Sequence, residues 1–259
     1  MPGRWRHRRA AAPFLAALVL ILAGPGSNRP AQGATYPASA YTNVTAFDTC
    51  DGTPDTISRS LKTLAQNGLA GLGYASSAFE TTGFTKARFL SRTPADEAVY
   101  VHSHGDQYYG PYPRMIQGFR DDGGDCSQAV VYATEVKARR SSAAHLVIMS
   151  TCHLAEAART AGQPTMSEAY GIERLKSTVS GSPRGPEFFL SYVGLAYTAD
   201  MLKFEGRFWA YVGRGRGVGD AFTLARATAG MSAATVPDWF GEYVYTGRPD
   251  GGPDCTTCL

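Results

Sequence analysis

Residues 143–157 read AAHLVIMSTCHLAEA, and this stretch decides the fold. Its apolar run, residues 146–149, is short and does not alternate with polar residues, which is typical of a strand buried on both faces of a parallel sheet. Ser150, Thr151 and Cys152 follow at the carboxyl end of this strand, where open α/β sheets bind ligands. We therefore predict an α/β protein with Cys152 at the sheet rim. The helix-forming composition that follows predicts a helix N-terminus that favours a thiolate. The alternative is that Cys152 is a small buried hydrophobe.

A second apolar run ends in histidines. Residues 97–106 read EAVYVHSHGD, and the β-rich run 98–101 is followed directly by His102, Ser103, His104 and Gly105. The two runs deliver His104 and Cys152 at the same end of two strands, and the interval between them leaves room for the helical crossover that parallel neighbours need. A cysteine nucleophile needs an imidazole nearby in space, not in sequence. We therefore predict a His104–Cys152 pair.

These two motifs resemble those of the caspase-like clan of cysteine peptidases, which includes caspases, legumains, gingipains, clostripain, separase and the CHAT domains. The likeness consists of an apolar block followed by His104-Gly105 and a second block followed by a small residue and Cys152. Thr151 stands where many members have alanine, which is a departure from the pattern. The resemblance implies a caspase-like three-layer α/β sandwich with a mostly parallel central sheet, and a cysteine endopeptidase that acts on polypeptides without a cofactor or metal.

The resemblance also implies roles for individual groups. Cys152 would attack the scissile carbonyl as a thiolate, and His104 would protonate the leaving amine. The backbone N–H groups of Gly105 and Cys152 would bind the oxyanion. We expect the ring of His102 to point away from that of His104 and to have a structural role, and we expect no catalytic role for His145 or His153.

Two other functions stay open at this point. His102, His104 and Asp106 match most of the His-x-His-x-Asp-His pattern of metallo-β-lactamase-like hydrolases, but Gln107 replaces the final histidine. The chain could also be a catalytically idle caspase-like module that binds a partner, although His104 and Cys152 are both intact. A metal assay distinguishes the first alternative, and a thiol-reactive probe distinguishes the second.

Acidic residues bear on specificity within the same resemblance. Members of the clan that cut after Arg or Lys have an acidic residue in the pocket that holds that side chain. Asp106, Asp200 and Glu205 are the candidates for such a residue here, and the sequence gives no geometry to choose among them.

Residues 1–33 are predicted to be a secretory signal peptide. Arginines dominate the first nine positions, an apolar core covers residues 10–23, and small residues at 31 and 33 suit a cleavage site. The apolar core is shorter than the about 20 residues that a spanning helix needs. We expect a secreted, extracellular protein that has no membrane association after cleavage.

Loss of the leader also changes the charge. The whole chain has a formal net charge of +3, but the leader is rich in arginine and has no acidic residue, so the mature chain is slightly acidic. Such a charge gives no reason to expect nucleic-acid or phospholipid binding. After the leader we expect an extended N-terminal arm, residues 34–54, and one caspase-like α/β domain, residues 55–259.

The cysteines suit an oxidising compartment. Cys50, Cys126, Cys255 and Cys258 lie in loop-like contexts and are disulfide candidates whose pairing the sequence does not decide. Cys152 alone follows a buried-strand pattern, so the odd cysteine is the predicted nucleophile. A zinc site at the Cys255-x-x-Cys258 pair is disfavoured because a second well-spaced pair is lacking.

The remaining pattern predicts the surroundings of the two motifs. Asp55 is a predicted N-cap, and Gly68 a predicted stop, for a helix over residues 55–67. We further predict an irregular loop over residues 107–128, a third buried strand over 188–196, helices over 204–211 and 218–229, and a glycine-rich helix connection, not a phosphate loop, over 213–219.

Overall fold

The computed structural model describes residues 36–43, 54–109, 115–120, 130–157, 161–177 and 187–249. Only the backbone is described over residues 106–109 and 115–120. The predicted signal peptide, four disulfide candidates and most of the expected arm lie outside the described residues. No helix in the described part of the chain is long and apolar enough to cross a membrane.

Seven strands form the main sheet. They are β1 (Tyr36–Thr42), β2 (Tyr74–Glu80), β3 (Ala98–His102), β7 (Leu146–Ser150), β8 (Lys176–Ser177), β9 (Phe188–Val193) and β10 (Val236–Glu242). Their spatial order is β2-β1-β3-β7-β9-β10-β8. Every neighbouring pair is parallel except β9 and β10. The mostly parallel α/β sheet predicted from the sequence is therefore confirmed.

Helices cover both faces of this sheet. The described helices are α1 (Thr56–Gly71), α2 (Lys86–Arg92), α3 (Ala133–Lys137), α4 (Met166–Ala169), α5 (Thr198–Gly213) and α6 (Val218–Thr228). Helices α1, α5 and α6 pack on one face, around Tyr100, Ile148 and Leu190. Helices α2, α3 and α4 pack on the other, around Val99 and Val147. Alternate residues of each central strand thus enter opposite cores, which makes three layers.

Helix α1 begins where the sequence predicts and ends later. Asp55 is its N-cap, and the side chain accepts a hydrogen bond of 2.7 Å from the backbone N–H of Ser58. Gly68 does not end the helix as expected. A Cβ at this position would lie 2.1 Å from the ring of Trp209 on α5. The glycine therefore permits α1 and α5 to approach closely.

The segment between β3 and β7 is more regular than predicted. Residues 107–128 were expected to form an irregular loop, but β4 (Gly105–Tyr109), β5 (Met115–Arg120) and β6 (Val130–Tyr132) form a small antiparallel sheet. Helix α3 follows directly on β6. The connection from His104 to Cys152 thus contains this sheet as well as the expected helix.

Part of the expected N-terminal arm belongs to the sheet. Strand β1 is extended, as predicted, but it lies between β2 and β3 and pairs with both in parallel. Its side chains at Ala38, Ala40 and Tyr41 are buried. The sheet therefore begins before residue 55, because β1 pairs with both neighbours and its side chains enter the cores on both faces.

Candidate active site

Strands β3 and β7 bring the two sequence motifs side by side. The strands are parallel neighbours, and His102 is in register with Ser150. The backbone N–H of Ser103 donates to the carbonyl of Ser150 over 3.4 Å, so the pairing continues to the last residues of both strands. The residues that follow, His104 and Cys152, therefore leave the sheet at the same edge.

Gly105 lies directly against the cysteine loop. A Cβ at Gly105 would be 2.6 Å from the carbonyl oxygen of Cys152 and 2.7 Å from Cβ of Thr151. These distances are shorter than any side chain permits, so the close approach needs glycine at this position. The His104-Gly105 segment and the Thr151-Cys152 segment are consequently in contact.

The sulfur of Cys152 also contacts the loop that follows β9. The backbone N–H of Ala196 donates to Sγ over 3.4 Å, and Sγ lies 3.8 Å from the carbonyl oxygen of the same residue. The side chains of Cys152 and His104 are both half-buried, which leaves part of each accessible. Three strand ends, from β3, β7 and β9, therefore meet at this point.

The segment after Cys152 is not the helix that its composition predicts. Residues 151–156 form turns and bends, and the next described helix, α4, begins at Met166. His153 has a left-handed φ of 65°, which is uncommon for a residue with a side chain. A helix N-terminus is thus absent immediately after Cys152, and the amide of Ala196 occupies the donor position instead.

Glu156 holds this segment against the loop after β9. Its Oε1 atom accepts from the backbone N–H of Gly194 at 2.8 Å and lies 2.6 Å from Nδ1 of His153. The backbone N–H of His153 donates to the carbonyl of Gly194 at 3.0 Å. His153 is therefore engaged in a local structural contact. Neither Glu156 nor Ala196 was identified from the sequence, because each acts across two loops that are distant in the chain.

His102 is a buried residue. It is 1% exposed, and its Nδ1 atom lies 3.1 Å from the carbonyl oxygen and 3.0 Å from the hydroxyl of Ser150. Burial lowers the pKa of His102 to about 4, so the ring is neutral at pH 7. These contacts agree with the structural role predicted for it.

Strand alternation does not support the prediction that the ring of His102 points away from that of His104. Residues two apart on a strand share a face, so alternation alone does not turn His102 away from His104. The strand instead ends at His102, and His104 lies in the connection to β4. The rings are near enough for the charge of His104 to contribute to the lowered pKa of His102.

The metallohydrolase alternative requires a cluster of metal ligands. No group of three His, Cys, Asp or Glu residues in the part of the chain with described side chains could hold a metal ion. His102 is engaged through Nδ1, and the side chain of Asp106 lies outside the described residues.

Two of the acidic residues singled out for a specificity pocket have internal partners. Asp200 accepts from Lys203, from the hydroxyl and N–H of Ser232, and from Thr235. The hydrogen bond from Lys203 is the largest cause that lowers the pKa of Asp200 to about 2. Glu205 is 1% exposed and lies beneath the sheet. Neither carboxylate is presented to a peptide.

Glu205 is the centre of a buried polar cluster. The hydroxyl of Tyr100 donates to Oε2 at 2.7 Å, and the hydroxyl of Tyr192 donates to Oε1 at 2.9 Å. Burial raises the pKa of Glu205 to about 7, and hydrogen bonds from the surrounding hydroxyl groups oppose that rise.

Comparisons with known proteins give distant matches in structure alone. No family model matches the sequence, and no curated protein matches it. The crystal structure of protein GSU0716 from Geobacter sulfurreducens is similar at a TM-score of 0.46 and 12% identity, over 80% of this chain and 93% of that chain. A complex of the pro- and mature domains of RgpB from Porphyromonas gingivalis is similar at a TM-score of 0.46 and 14% identity, over 83% of this chain and 49% of that chain.

Proposed function

We propose that this protein is a secreted caspase-like cysteine endopeptidase with Cys152 as its nucleophile and His104 as its general acid and base. The observation that carries the proposal is the contact between the two motif loops. Gly105 packs against Thr151 and Cys152 at the carboxyl edge of adjacent parallel strands. Ligand sites of open α/β sheets lie at this edge.

The environment of the sulfur supports a nucleophilic role. An N–H donor directed at a sulfur atom stabilises its negative charge, and the amide of Ala196 is such a donor. Cys152 is half-buried, so the residue is not enclosed in the core. A cysteine that served as core packing would be enclosed by apolar side chains instead.

In the proposed reaction, the thiolate of Cys152 attacks the scissile carbonyl carbon and forms a C–S bond. The carbonyl oxygen takes up the electron pair as an oxyanion, which the backbone N–H groups of Gly105 and Cys152 would bind. One such donor contributes about 2.7–4 kcal/mol to the transition state. The protonated ring of His104 donates its proton to the leaving amine as the C–N bond breaks.

Hydrolysis of the acyl-enzyme completes the reaction. His104, now neutral, takes a proton from a water molecule that attacks the thioester carbonyl. The C–S bond then breaks, the carboxylic acid leaves, and the thiolate and the protonated imidazole are restored. The cycle needs no cofactor.

The surface beside the sulfur of Cys152 suits a polypeptide substrate. Leu195 and Tyr197 flank Ala196 and are 66% and 59% exposed. Large apolar side chains exposed beside a nucleophile provide a surface on which the side chains of an extended peptide can pack. The proposal of secretion rests on the predicted leader, residues 1–33.

The direct test is cleavage of a mixed peptide library by the secreted protein and by its Cys152→Ser and Cys152→Ala variants. We expect cleavage by the parent protein alone, with all three proteins equally folded by circular dichroism. Cleavage by a well-folded Cys152→Ala variant at the parent's rate would exclude Cys152 as nucleophile.

A further inference from the structure

Glu205 of α5 occupies a position where an apolar residue would be less costly. Its side chain is 1% exposed and contacts Tyr100 and Tyr192, which belong to the core between α5 and the main sheet. A carboxylate in such a place loses its hydration, and replacement of buried ionic groups by apolar ones is often neutral or stabilising. Stability alone therefore does not account for this residue.

The partners of Glu205 come from strands that are not neighbours. Tyr100 lies on β3 and Tyr192 on β9, and β7 runs between these two strands. Each carboxylate oxygen accepts from one tyrosine, so the side chain spans the strand that ends at the cysteine loop. The hydroxyl of Ser150, on β7 itself, is near enough to help lower the pKa of the carboxyl group, and it donates to Sδ of Met201 on α5 over 3.5 Å.

Each of these hydroxyl groups precedes a residue of the candidate site on the same strand or its continuation. Tyr100 is four positions before His104, and Ser150 is two positions before Cys152. Tyr192 is four positions before Ala196, whose amide contacts the sulfur. A displacement of any one strand along its axis would therefore move one component of the site relative to the others.

The groups around Glu205 are few. Tyr100, Ser150 and Tyr192 face it from the sheet, and Asp200 lies on its own helix. The ring of His102 is beyond Ser150, whose hydroxyl is 3.0 Å from its Nδ1 atom. Lysine and arginine are absent from the described partners of the carboxylate. The side chain is thus held by the tyrosine hydroxyl groups of β3 and β9, on either side of β7, and not by an ion pair.

We propose that Glu205 is a positioning residue that fixes the ends of β3, β7 and β9 relative to one another and so places His104 and the amide of Ala196 around the sulfur of Cys152. This inference rests on the proposed function, in which Cys152 is the nucleophile. Glu205 touches neither substrate nor the reacting atoms. Its effect is on geometry, and misplacement by about 1 Å is enough to lower a rate about 100-fold.

The primary measurement is the rate at which iodoacetamide alkylates Cys152 at pH 7, because this rate depends on the surroundings of the sulfur and needs no substrate. The variants are Glu205→Leu, Glu205→Gln and the double change Tyr100→Phe with Tyr192→Phe. Glutamine can accept from one tyrosine and donate to the other, so it retains the bridge. Leucine and the double change remove it.

The matched control is Tyr74→Phe. Tyr74 is a buried tyrosine of the same core, and its hydroxyl is 3.1 Å from that of Tyr245, away from the strand ends that carry the site. This change removes one buried hydroxyl group without touching the Glu205 bridge. A general loss of core stability would appear in the control as well as in the bridge variants.

We expect alkylation per folded molecule to slow by about 10- to 100-fold in Glu205→Leu and in the double variant, within the range that small misplacements produce. Glu205→Gln should stay within about threefold of the parent, and Tyr74→Phe should equal it. For peptide cleavage, kcat should fall most in Glu205→Leu and the double variant, little in Glu205→Gln and not at all in Tyr74→Phe. KM should be unchanged in all of them. Where Glu205→Leu does not fold, Tyr192→Phe alone gives the same comparison with a smaller effect.

Equal alkylation rates in all folded variants would overturn the positioning role, whatever the outcome for hydrolysis. A parent protein that cleaves no peptide, but whose Cys152 alkylation follows the order above, would overturn the proposed peptidase function and leave the positioning role intact. The two ideas therefore fail in different ways.

Discussion

The backbone nitrogen of Ala196 lies 3.4 Å from the sulfur of Cys152 and donates a hydrogen bond to it. These residues belong to the ends of two neighbouring parallel strands, β9 and β7. The sequence predicted that a helix after Cys152 would provide the backbone N–H groups that favour a thiolate. The amide of Ala196 provides such a donor instead. A backbone donor in the short loop directly after β9 has fewer rotatable bonds than a side-chain donor, which suits a nucleophile whose charge must be maintained.

Reaction with a thiol reagent should be confined to Cys152 in the native, non-reduced protein. Cys152 is half-buried and its sulfur has an amide donor, whereas we predict disulfides for Cys50, Cys126, Cys255 and Cys258. The measurement is peptide mapping by mass spectrometry after brief treatment with iodoacetamide. The control is Cys152→Ala, which should take up no label. Label on several cysteines would contradict the predicted disulfides.

Gly105→Ala should damage the site and leave the fold in place. The new methyl group would meet the carbonyl oxygen of Cys152 at 2.6 Å, so one of the two loops must move. We expect kcat to fall at least about tenfold, because a small displacement of reacting groups has a large effect on rate. The measurement is kcat for peptide cleavage per folded molecule.

Gly206→Ala is the matched control for that change. Gly206 lies inside α5, and a Cβ there would meet no atom within 4 Å. Alanine should raise the free energy of unfolding by about 0.5–1 kcal/mol, because it restricts the unfolded chain and favours a helix. Its kcat should equal that of the parent. A normal kcat in Gly105→Ala would show that the contact between the two loops is not needed for turnover.

Glu205 should make stability depend on pH in a specific direction. Burial raises its pKa from 4.5 to about 7, so between these values the folded protein keeps a proton that the unfolded chain releases. Its contribution to stability is therefore fully present below about pH 4.5 and is lost as the pH rises to about 7. The loss is on the order of 3 kcal/mol, at about 1.4 kcal/mol per pKa unit.

The measurement is urea unfolding of the parent and of Glu205→Gln at several pH values between 4 and 8. We expect the parent to lose stability relative to the variant as the pH rises. His102 has the opposite effect, because its lowered pKa removes stability as the pH falls from 6.5 to about 4. Both proteins contain His102, so its effect cancels in the difference between their free energies of unfolding. A constant difference across this range would contradict the raised pKa of Glu205.

The two strands that end at His104 and Cys152 could be predicted because each is a short, uniformly apolar run followed by small polar residues. Their pairing in parallel also followed, since the interval between them suits a crossover. The small antiparallel sheet inside that crossover could not be predicted. Glycines, prolines and tyrosines over residues 107–128 indicated turns, and no continuous apolar run identified β4 or β5.

The bridge that Glu205 forms between the hydroxyl groups of Tyr100 and Tyr192 could not be predicted from the sequence, for a different reason. Tyr100 and Tyr192 each lie in an apolar run and are typical of core aromatics, and Glu205 was considered only as a candidate for a specificity pocket. They meet only because β3, β7 and β9 become neighbours in the sheet. The misassigned helix after Cys152 has a similar origin, since Glu156 contacts Gly194 and favours a turn over its own helical propensity.

The proposed peptidase mechanism requires that His104 acts together with Cys152 and without a metal ion. The decisive measurement is turnover per folded molecule, with bound metal, for His104→Ala and His102→Ala. We expect His104→Ala to lower turnover by about 10² to 10⁴, the usual contribution of general acid–base catalysis. His102→Ala should mainly lower stability, with turnover reduced less than about tenfold, because its ring is buried against Ser150. Equal losses in both variants, accompanied by release of a metal ion, would contradict the cysteine mechanism and favour a metallohydrolase.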